Sequence, residues 1–185
     1  MPRSFKLEEG ISTMLWWQRY PIAGSGLIIV HDPPGKKRQV LLLEEKKEKL
    51  ALGKPAGSKS FPMETRLESE NSPVETLWRL LEEELAGTMT ADLEISETPR
   101  GLYQLVPGKW LLVFWATSHT GVTPTGRWDA EVSGHEWNDL AEAVELPTLR
   151  QGAKEALRDR RDGLQGRICD RCEVPPLMKQ LLVLL

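Results

Sequence analysis

The sequence predicts one α/β domain of the α+β kind, an α/β/α sandwich with a mixed central sheet. Three observations carry that expectation. Residues 109–117 are apolar on both faces, with Leu111, Val113 and Trp115 alternating with Leu112, Phe114 and Ala116. A strand of that kind is covered on both sides. A capped amphipathic helix stands between strand-like runs, which gives the helices that do the covering. The composition is ordinary for a globular chain, with 40% hydrophobic and 28% charged residues in a length of 185 that can bury one sizeable core.

The elements follow in order. Residues 22–30 read as a β-rich strand in which Gly24 and Gly26 either weaken the strand or let another backbone approach. Pro33, Pro34 and Gly35 turn the chain into a second strand at 39–43. Weaker strand signals lie near Leu50 and Leu93, and the polar stretch 58–71, interrupted by Pro62, reads as a loop. Ser72-Pro73-Val74-Glu75 starts the helix with a capping serine, a proline at the first helical position and a glutamate after the cap. At the helical period, Val74, Leu77, Trp78, Leu81 and Leu85 gather into one core-facing stripe, and Gly87 closes the helix. Strands at 102–106 and 109–117 follow, then a loop rich in Gly, Thr and Pro at 118–134. A second helix is predicted over 149–161, with Ala153, Ala156 and Leu157 as its thin apolar face. The organisation is an N-terminal extension at 1–21, a domain at 22–162, and a tail at 163–185 that packs on the domain or on a partner. The apolar end of the tail, 177–185, needs burial in either case.

Charge and cysteine content exclude several classes. With 24 basic and 27 acidic residues the net charge is −3, so no nucleic-acid partner is expected. The first ten residues lack the apolar core of a secretory signal, and no apolar run is long enough to span a bilayer. Cys169 and Cys172 form no disulfide framework, which makes the cytoplasm the expected compartment. The pair is half of a zinc site without a second half, incidental unless two chains pair. Trp16, Trp17 and Tyr20 either stack a base or sugar or serve as core or dimer contacts.

Chemistry concentrates on the helix, in Arg79-Leu80-Leu81-Glu82-Glu83-Glu84. Glu84 borders the apolar stripe, where a carboxylate is costly unless a cation neutralises it. Mg²⁺ takes hard oxygen ligands and keeps several waters, so a few carboxylates beside a phosphate suffice. The alternative is a solvated acidic face in which Glu75–Arg79 and Arg79–Glu83 pair along the helix.

Upstream stand Lys54-Pro55-Ala56-Gly57, a loop and Glu70; downstream, Glu131-Val132 leads to Trp137-Asn138-Asp139-Leu140. This order resembles the Nudix hydrolase signature, a glycine, a glutamate, then Arg-Glu-apolar-x-Glu-Glu-x-Gly on a helix. The resemblance spans about 22–161. It departs from the signature in four places. The spacing from Gly57 to Glu70 is longer, Glu70 stands one residue too far from Arg79, Ala86 replaces the motif glycine, and Leu80 replaces the glutamate after the arginine. On the helical wheel Leu80 falls between Glu83 and Glu84, at the centre of the acidic face.

The resemblance implies attack of water on a phosphoanhydride with a divalent cation, Mg²⁺ or Mn²⁺, neutralising the phosphates. Glu83 and Glu84 would be metal ligands, the Ala56 carbonyl before Gly57 a third, and Arg79 would orient a glutamate, with Glu70 in support. Pro55-Ala56-Gly57 is similar to the motif form of ADP-ribose and nucleoside-diphosphate-sugar members, which implies a nucleotide-type substrate and a homodimer. Some such relatives take a base from the loop after the central strand, which makes Asp129 and Glu131 the candidates for the carboxylate missing at Leu80. The alternative is a Nudix-fold module that binds a nucleotide or a protein without hydrolysing it.

Overall fold

β1 (Ile22–His31) is the axis around which the other strands assemble. The structure, a computed structural model, describes residues 22–48, 50, 55–85, 91–96, 98–106, 108–124, 132–165 and 167–168. Trp16, Trp17, Tyr20, Ala86, Gly87, Asp129, Glu131, Cys169, Cys172 and the apolar end of the tail lie outside the described residues.

After β1 come β2 (Gln39–Glu45), β3 (Lys59–Ser60), β4 (Met63–Thr65), helix α1 (Pro73–Glu83), β5 (Leu93–Ile95), β6 (Gly101–Val106) and β7 (Lys109–Ser118). β8 (Val132–Asp139), the short α2 (Leu140–Ala143), α3 (Gln151–Asp162) and β9 (Arg167–Ile168) complete the described elements. The sheet is mixed and runs β3-β2-β1-β7-β6-β9, with β4 on β1, β5 on β7 and β8 on β2. β1 and β7 pair in parallel, as do β6 and β9, and the remaining pairs are antiparallel.

Both faces of the sheet are covered, as the two-sided apolar pattern of 109–117 requires. On one face Leu27, Ile29, Leu41, Phe114 and Ala116 pack with Leu77, Leu80, Leu81 and Leu85 from α1 and its last turn. On the other, Ile28, Val30, Val40, Leu42, Val113 and Trp115 pack with Ala153, Ala156 and Leu157 of α3. Gly24 behaves as its residue type suggests: a Cβ there would overlap the Glu64 carbonyl oxygen of β4.

Five expectations are corrected. The loop expected at 118–134 gives way to β8 from Val132, because β2 pairs with it. Residues 58–71 are not simply a loop; they contain β3 and β4, and Phe61 and Met63 between and within them are buried. Their polar neighbours hide strands too short to show a period. Leu50 is exposed and belongs to no strand. Trp78, placed in the apolar stripe, is 37% exposed. Leu80, placed at the centre of the acidic face, is fully buried. The buried side of α1 is therefore turned from Trp78 toward Leu80.

Candidate active site

α1 begins as its sequence dictates. Ser72 Oγ accepts from the Glu75 amide at 3.3 Å, Pro73 follows the cap, and Glu75 reaches back to the Asn71 amide at 3.0 Å. Ser25 Oγ of β1 donates to the Pro73 carbonyl at 2.9 Å, which fixes the start of the helix on the sheet.

One turn on, Arg79 gathers the acids around it. Its Nε donates to Glu70 Oε1 at 2.9 Å, its Nη1 lies 2.9 Å from Glu64 Oε1 and 3.5 Å from Glu83 Oε2, and its Nη2 donates to the Thr65 carbonyl. Glu70 is buried, and its second oxygen accepts from Thr76 Oγ1 at 2.6 Å and from the Leu67 amide at 2.8 Å. Burial alone would raise the Glu70 pKa; the bonds from Arg79, Thr76 and Leu67 outweigh it and hold the carboxyl below its ordinary value. Burial would likewise lower the Arg79 pKa, but Glu70 and Glu64 raise it, so this guanidinium stays charged. The pairing of Glu70 with Arg79 thus survives the one-residue shift in spacing, because the turn at Leu67–Glu70 delivers the carboxylate from the side. Glu64 was not legible as a member of this group. It lies on β4, whose strand character the sequence conceals.

The loop half of the signature is built differently. Gly57, at φ +75°, makes a turn that favours glycine, and its amide donates to the Glu45 carbonyl at the end of β2 at 2.8 Å. Glu45 in return donates its amide to the Ser58 carbonyl at 2.9 Å. A cleft of about 260 Å³ opens beside this turn, lined by Pro55, Ala56, Gly57 and Ser58 on one wall and by the segment from Pro147 to Arg150 on the other. Arg150 is buried there, and burial pushes its pKa down while nearby Glu45 opposes the shift.

The end of α1 reaches the same end of β2. His135 on β8 stands opposite Leu43 in the β2 register, and its ring lies beside the backbone of Glu84, which acts to raise its pKa. Leu43 and Glu45 are alternate residues of one strand, roughly 7 Å apart. So the loop of Ala56 and Gly57 is bonded to the end of β2, and the turn of Glu84 reaches the same end through His135 of the paired β8. Burial lowers the His135 pKa to about 4, which leaves the ring neutral near pH 7. His135 was missed because a lone histidine in a polar-looking strand carries no spacing signal.

Glu83 has a side chain 53% exposed, and Glu84 is half-buried. These are adjacent hard-oxygen donors of the kind Mg²⁺ takes with one or two carboxylates and retained waters. Among the described residues, no group of three His, Cys, Asp or Glu side chains forms a metal cluster. No helix among them is long and apolar enough to cross a membrane.

The sequence model of the NUDIX domain matches residues 23–159, and the chain belongs to that family. The fold is similar to the NUDIX domain of Shewanella oneidensis NrtR complexed with ADP ribose, at TM-score 0.55 and 16% identity, over 80% of this chain and 96% of that one. It is similar to a C. elegans Ap4A hydrolase in a binary complex, at TM-score 0.59 and 18% identity, over 77% of this chain and 97% of that one. RenU, a Nudix hydrolase from M. smegmatis, is similar at TM-score 0.57 and 16% identity, over 77% of this chain and 85% of that one. No curated protein sequence matches the chain.

Proposed function

We propose that this protein is a Nudix-type hydrolase that uses Mg²⁺ to split the phosphoanhydride of a nucleoside diphosphate linked to another group, with ADP-ribose or a nucleotide sugar as the favoured class. The observation that carries the reading is the approach of the Gly57 loop and, through His135 of β8, of the Glu84 turn to the same end of β2. In this reading Glu83, Glu84 and the Ala56 carbonyl hold the cation, which when bound neutralises charge on the phosphate oxygens. Arg79, engaged with Glu70 and Glu64, is a positioning residue for the helix. Asp129 or Glu131 supplies the base, and two copies of the chain form a cytoplasmic homodimer through the N-terminal extension. The NrtR domain with ADP ribose and the Ap4A hydrolase support a nucleotide-type substrate.

The test is phosphate release from ADP-ribose, nucleotide sugars, dinucleotides and nucleoside triphosphates, with and without Mg²⁺. Turnover of a diphosphate-linked compound only when the metal is present supports the reading. A second reading, a Nudix-fold module that binds without hydrolysing, is favoured by the fully buried Leu80 at the position of a signature carboxylate. No turnover across the panel, together with nucleotide binding by calorimetry, would select it.

A further inference from the structure

A cleft of about 210 Å³ opens at the edge of the sheet where the chain passes from β5 to β6. Arg100, Trp115 and Gln165 line it, and Glu94 is exposed at its rim. The cleft is not part of the site assigned above. Its lining straddles the sheet, with Trp115 on the face covered by α3 and Ile95 and Ala116 on the face covered by α1, and includes none of Ala56, Gly57, Glu70, Arg79, Glu83 and Glu84.

Donors without acceptors collect here. Trp115 is 8% exposed, and its Nε1 is buried with no hydrogen-bond partner among the described residues. The Arg160 guanidinium lies over the Trp115 ring, 4.5 Å from its centroid, and its Nε is likewise buried and unpartnered among those residues. Arg100 donates from Nη1 to Gln165 Oε1 at 2.8 Å and forms no ion pair among the described residues. Asp32 faces Arg160 but is already taken by Arg38, through Nε–Oδ1 at 2.7 Å and Nη2–Oδ2 at 2.9 Å. Burial, then the charge of Arg38, and to a lesser degree that of Arg100, hold the Arg160 pKa below the ordinary guanidinium value. Buried donors and like charges of this kind cost free energy that an anionic, acceptor-rich ligand would recover. Guanidinium groups match the geometry of such oxyanions.

We propose that this cleft binds a phosphate-type oxyanion, with Trp115 Nε1 and Arg100 donating hydrogen bonds and Arg160 supplying positive charge across the indole. The site stands independently of the hydrolase reading, because none of the residues that line it is among those assigned to hydrolysis.

The experiment is a titration of the full chain, ¹⁵N-labelled at tryptophan, with inorganic phosphate and separately with AMP, following the indole N–H resonances. Trp115→Phe assigns the signal. The expected result is a saturable shift of the Trp115 resonance, with affinity weakened about tenfold or more by Arg100→Gln and by Arg160→Gln, the scale of one charge-assisted hydrogen bond. A shift with AMP and none with phosphate would identify the ligand as the phosphate of a nucleotide; shifts with both would identify the phosphate alone. Arg160→Gln also removes the stacking on Trp115, so Arg100→Gln, in the connection between β5 and β6, keeps the test separate from folding. An unmoved Trp115 signal at millimolar phosphate and AMP overturns the proposal, as does a shift that both arginine variants leave unchanged.

Discussion

Arg79 Nε donates to Glu70 Oε1 at 2.9 Å, and this bond ties the middle of α1 to the turn that precedes the helix. The same guanidinium reaches Glu64 on β4, so three segments of the chain meet at one cation. Arg79→Ala would leave the buried Glu70 carboxylate without its charge partner and should destabilise the fold by about 3–5 kcal/mol in urea unfolding. Arg79→Lys should recover less than half, because an ammonium cannot span Glu64, Glu70 and the Thr65 carbonyl as a planar fork does.

Glu70 also predicts a pH dependence. Its folded pKa lies below the unfolded value of 4.5, so its contribution is fully present above about pH 4.5 and is lost as the pH falls through the folded pKa. His135 acts over a higher window. Its pKa drops from 6.5 to about 4 on folding, so stability should be greatest above 6.5 and decline as the pH falls from 6.5 toward 4. Urea midpoints measured from pH 7 to pH 4 should show this slope, and His135→Gln should remove the part of it above pH 5.

Leu80 sets a further expectation. Restoring a signature glutamate there places a carboxylate among Leu27, Ile29, Leu77 and Phe114. Leu80→Glu should therefore cost about 3–5 kcal/mol and lower the melting temperature rather than simply add activity. Leu80→Ala, which introduces only a cavity, should cost about 2–5 kcal/mol. A stable, active Leu80→Glu protein would show that the helix can roll to expose this position.

The two glutamates can be separated from their neighbour. Glu84→Gln should lower Mg²⁺-dependent turnover by more than about tenfold, the lower end of what even an outer-shell metal contact is worth. Glu82→Gln, on the exposed side of α1, should leave turnover unchanged. Equal losses at both positions would count against a metal role for Glu84.

The loop carboxylates are tested by amide substitution. Loss of roughly a hundredfold in turnover for Asp129→Asn or Glu131→Gln, with the fold intact by circular dichroism, is the scale expected for a general base. Unchanged turnover in both variants would place the base elsewhere.

Much of the scaffold was readable from pattern alone. The serine-proline cap marked the start of α1, the two-sided run marked β7, and Ala153, Ala156 and Leu157 marked the buried face of α3. What pattern could not show was tertiary choice. Trp78 and Leu80 are both apolar and close in sequence, and only the position of the sheet decides which one it covers. β8 escaped notice because its residues, from Val132 through His135 and Glu136 to Asp139, look like a loop until β2 supplies the hydrogen bonds. Within the candidate site, the order of the motif was legible, but the partners of Arg79 were not, since Glu64 reaches it from a three-residue strand.

The parallel pairing of β1 with β7 has a consequence for the growing chain. Ile29 stands opposite Ala116, so the edge of β1 that β7 covers stays bare until almost half the chain has been added. At ordinary translation speeds that interval is roughly ten seconds. Through it, the run Leu27, Ile28, Ile29 and Val30 presents open backbone groups and branched side chains, a template for another nascent chain. A hazard of this fold thus falls during synthesis, before the finished core exists to protect against it.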